Sequence, residues 1–176
     1  MRKHVFTGEG HYHYVTFSCL GRRRLLATAR ARQIVISVLG TLAQRDRVRV
    51  AGFVIMPDHV HAVLWFNNDE DLPTVMQTWK RLSAHYLKEF YAQTRPDLLD
   101  YLKHHRNGEE IVSFWQRRYY DFNLYSEVKF LEKLNYLHNN PVKKGLVPKP
   151  DDYPWSSARW YSQGKSVGVR IDPGGV

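Results

Sequence analysis

The runs VRVAGFVIM (48–56) and HVHAVLWF (59–66) are each apolar and long enough to be a strand, and only Pro57 and Asp58 separate them. So short a connection cannot carry the chain over to a parallel neighbour, so the two must pair as an antiparallel hairpin. The other elements are read outward from it. YHYVTFSCL (12–20), rich in β-branched and aromatic residues, reads as a preceding strand, and GRRR (21–24) as a basic turn. Thr28 suits an N-cap, after which Ile34, Val35, Val38, Leu39 and Leu42 recur at helical spacing. A second helix follows Asp71 and Pro73, with Val75, Met76, Trp79, Leu82, Tyr86, Leu87 and Phe90 on its apolar face. Residues 92–110 read as a loop with a short helix, and SFWQRRYYDFNL (113–124) as a fourth strand. Ser126 suits the cap of a last helix that runs to Asn140, where Pro141 ends it.

The order β-α-β-β-α-β-α describes an α+β chain: a ferredoxin-like antiparallel sheet, helices packed on one face, and an additional C-terminal helix and tail. Residues 1–176 read as one domain, with 146–176 as a turn-rich tail. Lys and Arg number 26 against 17 Asp and Glu, a net charge of +9, and aromatic residues lie among the basic ones. That balance points to a nucleic-acid partner. A single cysteine, Cys19, excludes an internal disulfide and a cysteine-held zinc. No secretory leader and no apolar run of about 18 residues is present, so the expectation is a cytoplasmic protein without a membrane span.

Alternation along a strand puts His59, His61, Val63 and Trp65 on one face and Val60, Ala62, Leu64 and Phe66 on the other. Two imidazoles at i and i+2 can converge on a metal ion, or can simply be histidines satisfied by hydrogen bonds. HYH (11–13) is a second such pair, and spacing does not rank the two. On the last helix, Val128, Leu131, Leu134 and Leu137 form an apolar arc, which His138 joins as a core histidine. Tyr136 falls on the polar arc with Lys129, Glu132 and Lys133, and Asn140 follows one turn later.

Four ordered stretches, MPDHVHAVLW, FWQRRYYDFNL, NYLHNNPVKKGLV and YPWSSARWY, resemble the REP-associated tyrosine transposases, within the single-tyrosine HUH superfamily. The resemblance covers nearly the whole chain, though 92–110 is longer than the usual connection. It implies that His59 and His61 bind a divalent ion, magnesium or manganese, with Asn140 as third ligand and Tyr136 as nucleophile. It also demotes His11 and His13. The implied activity is cutting and rejoining single-stranded or hairpin DNA through a 5′-phosphotyrosine, by a homodimer or by one copy acting twice. Arg22, Arg23, Arg24, Lys80, Arg81, Arg117, Arg118, Lys143 and Lys144 are the expected DNA contacts, and Lys129 and Lys133 share the tyrosine's face. The alternatives are a non-catalytic nucleic-acid-binding domain and a nuclease in which the metal activates water.

Overall fold

The computed structural model describes residues 11–45, 48–66 and 71–174. Its main sheet is built from β1 (His11–Ser18), β2 (Arg49–Ile55), β3 (His59–Phe66) and β6 (Tyr120–Leu124) in the order β2-β3-β1-β6, every pair antiparallel. This is the split arrangement expected from the sequence, with β3 returning between β2 and β1. The helices α1 (Ala29–Gln44) and α2 (Asp71–Thr94) cover one face. There Val15, Phe17, Phe53, Val60, Ala62, Leu64 and Phe66 meet Val35, Leu39, Met76 and Trp79 in the larger core. Thr28 caps α1 as expected, its hydroxyl accepting from the Ala31 N–H.

The helix α4 (Glu127–Lys143) lies on the opposite face, where Phe130, Leu134 and Leu137 pack with Tyr14, Val54, Val63 and Leu124. The expected apolar arc is only half right. Val128 and Leu131 are 73% and 43% exposed, whereas Phe130, Leu134, Leu137 and Pro141 are buried. Their spacing of 4, 3 and 4 follows the helix, while an unbroken i+3 series drifts around it. The rotated contact stripe turns Asn140 inward and leaves Tyr136 at the rim. Gly52 lets α4 come close, because a Cβ there would lie 2.5 Å from Leu134 Cδ1.

Pro141 does not end α4. It stands in the last turn, and the helix closes instead at Gly145, whose φ is +66°. Gly145 N–H donates to Val142 O and Leu146 N–H to Pro141 O, the paired bonds of a glycine-terminated helix. Two further expectations are corrected. Residues 92–110 are not mainly loop: α2 continues to Thr94, then α3 (Pro96–Leu102) leads into a hairpin of β4 (Lys103–Arg106) and β5 (Glu109–Val112). Its turn is Asn107-Gly108, both at positive φ, as a two-residue hairpin turn demands. The fourth strand is also shorter than expected. Residues 113–119 cross the end of β1, with Phe114 and Trp115 buried in the larger core, and Leu20 N–H donates to Phe114 O. The tail holds a short helix α5 (Ala158–Gln163), and Ile171 pairs with Val50 at the edge of β2.

Candidate active site

Register decides which side chains meet. Thr16 stands opposite His61 and Ser18 opposite His59 across β1 and β3, so Tyr14 and Thr16 share the α4 side of the sheet with both histidines. His59 and His61 are buried, their rings edge to face at 4.6 Å. Asp58 accepts from His59 Nδ1–H at 2.6 Å. A carboxylate on Nδ1 fixes the tautomer and leaves the Nε2 lone pair free to bind. Around His61, Nδ1 lies 2.7 Å from both Tyr14 Oη and Thr16 Oγ1. Its Nε2 faces Asn140 Nδ2 at 3.1 Å. An amide N–H can donate only to an unprotonated Nε2, so the network assigns His61 its proton on Nδ1. Burial lowers the pKa of both imidazoles, that of His61 to about 3, and the charge of Arg22 adds to the effect on each. Burial thus favours the neutral form of both rings, the state a metal ligand needs.

Asn140 is 4% exposed, and its Oδ1 is buried without a hydrogen-bond partner. An orphaned buried acceptor costs about 1–3 kcal/mol, and a cation would relieve it. Among the described residues no three His, Cys, Asp or Glu cluster to hold a metal. The set here is two imidazoles and an amide, donors that suit manganese and accept magnesium less readily. Its members fit a divalent ion.

Tyr136 stands at the rim, 41% exposed, its ring 5.7 Å from that of His61 and 6.2 Å from that of Tyr14. Lys143 Nζ lies 4.9 Å and Lys133 Nζ 5.9 Å from its centroid. Lys129, expected on the same face, pairs with Glu132 at 2.7 Å, and Lys133 reaches the other oxygen of that carboxylate at 3.8 Å. Of the other tyrosines weighed, Tyr120 pairs with Thr16 in register and is exposed, while Tyr119 packs against the larger core. His138 is a satisfied core histidine, its Nε2 2.7 Å from Ser157 Oγ. His13 is on the other face of the sheet, beside Phe66 and 2.9 Å from Asp121. The His11 side chain lies outside the described residues.

The expected DNA contacts divide. Arg22 pairs with Asp58, and the charge of Lys144 reaches His59, so both border the histidines, as Lys143 borders the tyrosine. Arg117 and Arg118 are exposed on the segment tied to the end of β1 through Gln116 N–H and Ser18 O. Lys80 donates from its ammonium to the Gln116 and Arg117 carbonyls at 2.8 and 2.9 Å and so holds that segment. Arg81 lines a groove of about 740 Å³ between α1 and α2, on the far side of the sheet. Arg23 is held over the Tyr101 ring at 4.7 Å, and Arg24 directs its charge towards Arg32 and Tyr153. Sequence reasoning passed over Asp58, Tyr14 and Thr16. Asp58 was open to detection as a carboxylate next to a histidine, but the other two needed the strand register.

Comparison with known proteins places the chain in a family and matches its fold. The family described as "Transposase IS200 like" matches residues 7–140. A provisionally named REP-associated tyrosine transposase of Haemophilus influenzae is 27% identical over 103 residues, 58% of this chain and 54% of that protein. The match therefore spans about half of that relative's length. The REP-associated tyrosine transposase of Escherichia coli K12 is 20% identical over 145 residues, 82% of this chain and 74% of the relative. Among solved structures, a REP-associated tyrosine transposase bound to a REP hairpin superposes with a TM-score of 0.67 at 19% identity, covering 100% of this chain and 93% of the other. With its family pattern running through the strand pair, the histidines and the last helix, the chain belongs to the IS200-like transposase family.

Proposed function

We propose that this chain is a divalent-metal-dependent transposase that cuts and rejoins single-stranded DNA beside a hairpin, through a covalent 5′-phosphotyrosine on Tyr136. The observation that carries the reading is the convergence on His61. Asn140 reaches its Nε2, and Tyr136, one turn earlier on the same helix, lies against its ring. His59, His61 and Asn140 would hold the cation. Bound there, it would supply Lewis-acid charge to a non-bridging oxygen of the phosphodiester.

The chain's own groups do the rest. Tyr136 is exposed enough for a strand to reach it from solvent. Its Oη forms a bond to phosphorus while the bond from phosphorus to the 3′-oxygen breaks. The phenolic proton passes to water, and the departing 3′-oxygen takes one from water. Lys143 and Lys133 flank the ring and offset its negative charge as the proton leaves. Attack by an incoming 3′-hydroxyl reverses the step and joins strands without external energy. Lys144 beside the histidines, and the exposed Arg117 and Arg118 on the segment tied to the end of β1, would serve as phosphate contacts. Hairpin DNA as the substrate class is supported by the hairpin bound to the structural neighbour.

The test is a denaturing gel with a labelled hairpin oligonucleotide carrying a single-stranded flank. The parent chain with manganese gives an SDS-resistant adduct; Tyr136→Phe binds the same DNA and gives none. Cleavage by the Phe variant at the parent rate would instead identify a water-activating nuclease.

A further inference from the structure

Resting on that reading, we infer that Arg22 is a catalytic residue whose free guanidinium N–H groups bind the phosphate under attack, and that Asp58 is the positioning residue linking it to His59. The backbone carries the first observation. Gly21 and Arg22 have φ of +62° and +56°, and Arg23 N–H donates to Leu20 O at 3.3 Å, closing a two-residue left-handed turn. Glycine is at ease there; arginine is not, and strain of this kind gathers at functional sites.

The second observation is what the strain achieves. Arg22 Nη1 donates to Ser18 Oγ at 2.8 Å and Nε lies 3.3 Å from Asp58 Oδ2, while Nη2 has no partner among the described residues. The side chain is 51% exposed, so its spare donors face solvent. Asp58 spends its other oxygen on His59 Nδ1 at 2.6 Å, and its carbonyl accepts from Cys19 N–H, which fastens the arginine turn to the histidine loop. One carboxylate thus sets both a ligand's tautomer and an arginine's direction.

The third observation is charge. The Arg22 guanidinium stands 3.3 Å from Asp58, which is itself 2.6 Å from His59, and the rings of His59 and His61 meet at 4.6 Å, so the arginine's charge lies beside the histidine pair. A cation held by the histidines would add to this positive charge, a setting that suits the anionic phosphate of DNA. As negative charge grows on the phosphorus-bound oxygens, an arginine fixed at two of its nitrogens stabilises it without reorganising.

The experiment uses the full chain, manganese and the hairpin oligonucleotide. Arg22→Gly suits the left-handed backbone and should melt within about 4 °C of the parent. Arg22→Gln serves as a second variant that keeps a side chain. Both should bind DNA within about threefold of the parent, yet form adduct about 100-fold more slowly in a single turnover at saturating DNA. Without DNA, Asp58→Asn should bind manganese about 10- to 100-fold more weakly by calorimetry, while the Arg22 variants should not. Parental rates in both Arg22 variants, or losses recovered by more DNA, would reduce Arg22 to a surface grip and overturn the proposal. Unchanged manganese affinity in Asp58→Asn would remove Asp58 from it. A parent chain that shows no metal-dependent cleavage would instead sink the transposase reading itself.

Discussion

At Asn140 burial and chemistry conflict, because its amide oxygen lies inside the fold with no donor to meet it among the described residues. A neutral amide is a ligand that water can replace in part, whereas an imidazole is not. Asn140→Ala is therefore expected to raise the half-maximal manganese concentration about tenfold and to keep most of the rate at saturation. His61→Ala should abolish adduct at any manganese concentration while DNA binding survives. A metal titration of adduct formation separates the two, and an unshifted midpoint for Asn140→Ala would exclude it as a ligand. The histidines were legible in the sequence because strand alternation needs no tertiary knowledge. Asn140 was legible only as a neighbour one turn from Tyr136. Tyr14 and Thr16, which hold His61 Nδ1, were illegible, since nothing local to YHYVTF says which face of which strand it opposes.

At the scale of elements, the site depends on how closely α4 lies on the sheet. Gly52 sets that distance, and a methyl group there would run into Leu134, itself buried. Gly52→Ala should cost about 1–3 kcal/mol by overpacking and slow adduct formation, because Asn140 and Tyr136 move with the helix. Adding Leu134→Ala frees the space, so the double variant should be less destabilised than the sum of the two; additive losses in chemical denaturation would show that α4 is seated otherwise. The hairpin β2–β3 was readable from its two-residue connection, and α1 from its cap and periodicity. The hairpin β4–β5 carried a readable Asn-Gly turn, obscured by its charged strands. The end of α4 is not legible from Pro141, which in the last turn removes only a single donor, while Gly145 closes the helix.

Over the whole molecule, the two faces of the sheet divide the labour: α1 and α2 bury the larger core, and the α4 side holds the histidines and the tyrosine. That side buries neutral imidazoles, which makes stability depend on acid. Burial takes His138 to about 4 and His61 to about 3, whereas an unfolded imidazole titrates near 6.5. Above that pH neither state binds the proton. Below it the unfolded chain takes up protons that the folded chain refuses, so stability falls as pH drops from 6.5 towards 4. Metal-free melting temperature should be flat from pH 8 to 7 and decline through that window, with His138 alone worth about 3 kcal/mol. A flat profile down to pH 4 would contradict this burial. The central claim is that Tyr136 becomes bonded to DNA, and peptide mapping reads it directly. The full chain is reacted with the hairpin oligonucleotide and manganese, digested with protease and nuclease, and its tyrosine peptides are weighed. The account predicts a nucleotide 5′-phosphate on Tyr136 and on no other tyrosine. The same mass on Tyr119 or Tyr120, or cleaved DNA with every tyrosine unmodified, would contradict it.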